Sequence, residues 1–74
     1  MSVRLVFLGR LADVAGVSAK EVAPGPLTDL LRGLPAGLLS PRVKLALNGM
    51  LVQAEGLVLD SGDELAFLPP VSGG

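Results

Sequence analysis

Short apolar runs along this chain are separated by glycine and proline. Residues 3–8, Val-Arg-Leu-Val-Phe-Leu, are β-prone and break at Gly9, after which residues 10–15 fit a brief helical turn closed by Gly16. Residues 18–22 mix charged side chains with Val22 and run into Ala23-Pro24-Gly25-Pro26, a turn signal, so they predict a second strand antiparallel to the first. The period then changes. Leu27, Leu30, Leu31 and Leu34 recur at i, i+3, i+4 and i+7, with Asp29 early, Arg32 late and Pro35 as a stop, which predicts a helix over residues 26–34. Residues 35–41 carry two prolines and Gly37 and read as a loop or at most one helical turn. Residues 43–47 lead into Asn48-Gly49, the signature of a tight hairpin, and residues 50–52 return. Residues 57–59, a polar turn at residues 60–63 and a last strand at residues 64–68 complete the series.

A helix crosses from a first hairpin to later strands, and the last strand is free to return beside the first. That is the order of a ubiquitin-like β-grasp: an α+β fold in which a mixed sheet of four to five strands packs on one main helix. The helical leucines need one sheet face to cover, and one strand parity supplies it with Val3, Leu5, Phe7, Leu65 and Phe67. The opposite parity is expected to be polar, yet it holds Val6, Leu8, Ala66 and Leu68, and Leu51 is apolar as well. The far face of the sheet is therefore expected to carry an apolar patch that meets a partner.

At 74 residues the chain makes one domain of modest stability, about 4 to 11 kcal/mol. Half of it is apolar, but Phe7 and Phe67 are the only aromatics, so the core is aliphatic. The absence of cysteine and histidine removes disulfides, thiolate sites, the commonest general base and the commonest metal ligand. Six basic and seven acidic residues give a formal charge of -1, with no polybasic footprint for nucleic acid or an anionic membrane. No apolar run approaches a bilayer span and no signal-peptide layout opens the chain, so a cytoplasmic location is expected. The glycines match no phosphate-binding spacing, the serines lack a histidine or Ser-x-x-Lys base, and Asp60, Asp63 and Glu64 fit a polar turn better than a metal loop. Arg10, Arg32, Arg42 and Lys44 read as solvated cations. Self-contained catalysis is not expected.

The chemistry is expected in the tail instead. Residues 1–68 form the domain and residues 69–74 a tail, Pro69-Pro70-Val71-Ser72-Gly73-Gly74. Two prolines favour an extended, stiff departure, and the two glycines end the thread thin and flexible. Six residues at about 3.3 Å each reach roughly 20 Å, enough to place the Gly74 carboxylate in another protein's site.

Residues 62–74, Gly-Asp-Glu-Leu-Ala-Phe-Leu-Pro-Pro-Val-Ser-Gly-Gly, resemble the ending of the MoaD family, the small subunits of molybdopterin synthase. The resemblance continues through Val6-Phe7-Leu8-Gly9-Arg10-Leu11, Ala15-Gly16, the helix at residues 27–34 and Leu45-Ala46-Leu47-Asn48-Gly49. It implies a β-grasp sulfur carrier that binds no cofactor itself. A MoeB-like partner would adenylate the Gly74 carboxylate with ATP, and a sulfur donor would convert it to a thiocarboxylate. Two such carriers would then supply the dithiolene sulfurs of molybdopterin. It further implies a catalytic large subunit, MoaE-like, in a heterotetramer, with Leu8, Leu51 and Leu68 at the partner contact. The chain departs from the family in a shorter segment after the helix, where a second helix is expected to be missing, and in Ala12 where an arginine is frequent. A ThiS-like thiazole carrier shares the fold and the Gly-Gly ending but usually lacks Pro-Pro, and a ubiquitin-like modifier would join Gly74 to a target lysine.

Overall fold

The computed structural model describes residues 2–35 and 37–70. In chain order the elements are β1 (Val3–Phe7), α1 (Arg10–Ala15), β2 (Ala19–Val22), β3 (Gly25–Pro26), α2 (Leu27–Leu30), β4 (Lys44–Leu47), β5 (Met50–Val52), β6 (Val58–Leu59) and β7 (Glu64–Leu68). Five strands make one mixed sheet in the order β2-β1-β7-β4-β5. β1 pairs antiparallel with β2 and parallel with β7, so the last strand returns to the middle of the sheet beside the first. This is the β-grasp arrangement expected from the order of elements.

Alternation decides which residues line the core. Val3, Leu5 and Phe7 of β1 face the same side as Leu65 and Phe67 of β7 and Leu45 of β4, and all six are buried. Phe7 and Phe67 are register partners whose rings stack at a tilt with centroids 5.0 Å apart. Leu11 of α1, Leu27 and Leu30 of α2, Leu59 of β6 and Leu38 from the segment after α2 close the core from the other side. Leu38 is 1% exposed, although its proline-marked surroundings had pointed only to a loop. Among the described residues no polar side chain is buried.

The structure corrects three sequence expectations. The helix predicted over residues 26–34 is regular only at Leu27–Leu30. Beyond it the Arg32 and Leu34 N–H groups bond to carbonyls three residues back, on Asp29 and Leu31, a tighter winding that ends beside Gly33 at φ 82°. The leucine stripe still serves its purpose, because Leu31 and Leu34 pack half-buried against the core. α1 occupies residues 10–15 before Gly16, as expected of a brief helical turn, and is the longer of the two helices, so two short helices pack on the sheet where one main helix was expected. Gly25-Pro26, read as a turn, instead forms a two-residue ladder with Val58–Leu59, separate from the main sheet. The Leu27 N–H donates to the Leu57 carbonyl at 2.9 Å and holds the start of α2 against that ladder. The described part of residues 35–43 contains no regular helix, as the shortened segment had implied.

Candidate functional site

The tail is rooted at the end of β7, the central strand, so its exit lies in the middle of one sheet edge and not at a corner. Pro69 is half-buried and Pro70 exposed, while Val71, Ser72, Gly73 and Gly74 lie outside the described residues. What surrounds the exit follows from strand register. Lys44 of β4 stands opposite Leu68, and the Leu8 N–H donates to the Phe67 carbonyl at 3.1 Å, which places Leu8 beside Leu68 on the other flank. Arg42 lies just before β4 at this same edge, and Arg10 opens α1 immediately after Gly9.

The face turned away from the core is graded by row. Nearest the exit lie Leu8, Leu68 and Lys44. The next row runs Ala19, Val6, Ala66, Ala46, Leu51 across all five strands, because each is the register partner of its neighbour. The third row, Glu21, Arg4 and Glu64, is charged, with Arg4 Nε 3.7 Å from Glu64 Oε2 in a solvent-exposed pair of little energetic weight. Leu51 is 69% exposed and Leu8 40%, whereas Val6, Ala66 and Leu68 are half-buried. The sequence-predicted patch is thus one contiguous surface, although its most exposed member sits two strands, about 10 Å, from Leu68. Two of its members, Ala19 and Ala46, were not singled out from sequence, since a lone alanine in a strand carries no signal until its register partners are known. Beside Leu51 an open groove of about 680 Å³ is bounded by Leu39, Val43, Lys44 and Gln53.

Far from the exit, the acidic turn serves structure. Asp63 accepts from the Asp60 N–H at 2.8 Å and from Asn48 Nδ2 at 3.0 Å, and Asn48 Oδ1 accepts from the Glu64 N–H at 2.9 Å. The Asp60 N–H, and after it the Asn48 amide, hold the Asp63 carboxyl below the usual carboxylate range, because both bonds favour the ionised form. Among the described residues no cluster of carboxylates could hold a metal ion. None of their helices is long and apolar enough to cross a membrane.

This geometry displays a strand end beside an apolar face. Residues 5–74 match the ThiS family. No curated protein matches the chain at a significant level. Among solved structures it is similar to SAMP1 from Haloferax volcanii, at 30% identity over 100% of both chains with a TM-score of 0.78. It is similar also to the complex of subunits 1 and 2 of the molybdopterin-converting factor from Helicobacter pylori, at 28% identity over 100% of both chains with a TM-score of 0.69. The small archaeal modifier protein 1 from Methanosarcina acetivorans, 23% identical over 99% of this chain and 96% of that one with a TM-score of 0.67, shares the fold. With nearly its whole length matched, the chain belongs to the ThiS family, within the β-grasp superfamily of sulfur carriers that also holds MoaD and the small archaeal modifiers.

Proposed function

We propose that this chain is a sulfur-carrying β-grasp protein whose Gly74 carboxylate is activated by a partner enzyme and which performs no catalysis alone. A carboxylate oxygen of Gly74 attacks the α-phosphorus of ATP and pyrophosphate leaves; sulfide-level sulfur (hydrosulfide) delivered by a donor then attacks the acyl carbon, AMP leaves, and the proton is lost to give the thiocarboxylate. The partner docks on the row of Val6, Ala66, Ala46 and Leu51 together with Leu8 and Leu68, while Pro69 and Pro70 start the thread that carries Val71, Ser72, Gly73 and Gly74 into its site. The observation that carries this is that β7, from which the sequence runs on through Pro69-Pro70 to Gly-Gly, is the central strand and is flanked by a solvent-facing apolar row.

Three fates of the activated terminus compete. The family match and the likeness to SAMP1 favour a thiazole-type carrier or a protein modifier over the molybdopterin assignment that the Pro-Pro ending implies. The likeness to the two-subunit molybdopterin-converting factor keeps a small-subunit role, with a MoaE-like partner, as the second reading. The test is capture from the native cells with an N-terminal tag that leaves Gly74 free, followed by intact-mass analysis. Oxygen replaced by sulfur at Gly74, with an adenylating enzyme bound, is the expected result. A co-purified large subunit or thiazole synthase assigns the pathway, lysine-linked targets alone assign the modifier, and an inert terminus overturns the proposal.

A further inference from the structure

We infer that Gly9 is a positioning residue for the tail, acting through the ring of Pro69; the inference rests on the carrier reading and concerns how the terminus is aimed. Three observations meet at this point. The bond from the Leu8 N–H to the Phe67 carbonyl is the last rung between β1 and β7. In a parallel pair the next rung would run from the N–H of residue 69 to the Leu8 carbonyl, but Pro69 has no N–H. The Leu8 carbonyl is instead taken by the Leu11 N–H at 3.1 Å as α1 begins. The ladder therefore ends here without an unmade bond, and hydrogen bonding no longer dictates the direction of the chain beyond Leu68.

Packing takes over that task. Gly9 has φ 56° and ψ -136°, a conformation that glycine adopts without penalty and side-chain-bearing residues rarely enter. A Cβ placed there would lie 3.1 Å from Pro69 Cγ and 3.9 Å from Cδ, so the missing side chain is the seat of the proline ring. Other glycines of positive φ, such as Gly16, Gly33, Gly49 and Gly62, have nothing within 4 Å of such a Cβ and serve only their turns. The ring therefore sets the direction in which the chain leaves Leu68 on its way to Gly74. A misplacement of about 1 Å at a reacting carboxylate is enough to cost roughly a hundredfold in rate.

The test is ATP–pyrophosphate exchange by the adenylating enzyme of the same cells, with kcat and KM for the carrier measured for wild type, Gly9→Ala, Pro69→Ala and the double variant, and urea unfolding followed by far-UV circular dichroism. Gly9→Ala is expected to lower kcat at least about tenfold while KM rises less than about threefold, since the docking face is untouched. In the Pro69→Ala background the same substitution is expected to cost less than about threefold. Equal losses in both backgrounds overturn the inference, because strain at Gly9 alone is felt whatever stands at position 69. An unchanged kcat in Gly9→Ala overturns it too, as does a loss that merely tracks the unfolded fraction. Failure of the wild-type chain to support exchange overturns the carrier reading and this inference with it, whereas failure of the variant pattern alone leaves the carrier reading standing.

Discussion

The two ends of the β1–β7 pair are built to opposite purposes from the same two strands. At one end backbone and side-chain polar groups of several elements are tied together. The Arg4 N–H donates to the Asp63 carbonyl and the Gly62 N–H to the Ser2 carbonyl, both at 2.9 Å, while Asn48 both donates its N–H to Glu64 at 2.8 Å and accepts the Glu64 N–H in return. Asn48 and Gly49 sit at φ 51° and 88°, the left-handed pair of a tight hairpin, and the Asn48 side chain crosses to Asp63. At the other end the ladder stops for want of a donor, and a proline ring against a glycine replaces the next bond. The difference teaches that one end fixes where the strands meet so that the other can let the chain leave the sheet in a defined direction.

The largest expected effect comes from the core that joins the two ends. Phe67→Ala removes a fully buried ring in contact with Phe7 and is expected to cost about 3 to 5 kcal/mol, a large share of the stability of so small a domain. Urea unfolding would show this as a collapse of the midpoint; a loss under about 1 kcal/mol would mean the two ends are not coupled through this ring pair. Asn48→Ala attacks only the tied end, losing two side-chain bonds and placing a Cβ-only residue at positive φ, and should cost about 1 kcal/mol. Because the tail exit lies at the opposite edge, exchange activity of the folded fraction should be unchanged.

Acid sharpens the contrast further. The Asp63 carboxyl titrates below its ordinary 3.8 in the folded chain, so the fold favours the ionised form. Its contribution is present above pH 3.8 and is lost as the pH falls through the lower, folded value. The urea midpoint should drop over that interval, and Asp63→Asn should flatten the drop. The smallest change in stability is expected at Leu51→Asp, within about 0.5 kcal/mol because the side chain is exposed, yet partner binding should weaken by about tenfold or more. Binding by titration calorimetry that is left intact would remove Leu51 from the docking row.

Much of the fold was legible in the chain because it depends on local rules. β5 and β7 occupy the residues that the pattern predicted, residues 50–52 and 64–68, and Asn48-Gly49 makes the expected hairpin, since strand alternation and left-handed turns are written in adjacent side chains. The helix end was misplaced because leucine spacing reports which residues face the core and not whether the winding between them is regular. β3, and the pairing of residues 58–59 with it, were not legible because a two-residue ladder is defined by its partner across the fold. Of the residues expected at a partner contact, Leu8 and Leu68 lie on the outward strand parity and Leu51 is legible only as apolar, their contact role being what the resemblance implies, whereas the alanines that join them and the seat of Pro69 on Gly9 have no signal in the sequence.

What the sequence alone determined is therefore the set of pieces: a hairpin, an apolar helical stripe, a second hairpin, a last strand and a proline-started tail ending in Gly-Gly. Those follow from backbone dihedral preferences and hydrophobic period, which act between near neighbours. The tertiary structure decided that β7 lies at the centre of the sheet, that Val6, Ala66, Ala46 and Leu51 form one row, and that Gly9 meets Pro69. Those are contacts between residues far apart in the chain, and only strand register, chosen when the whole core closes, brings them together.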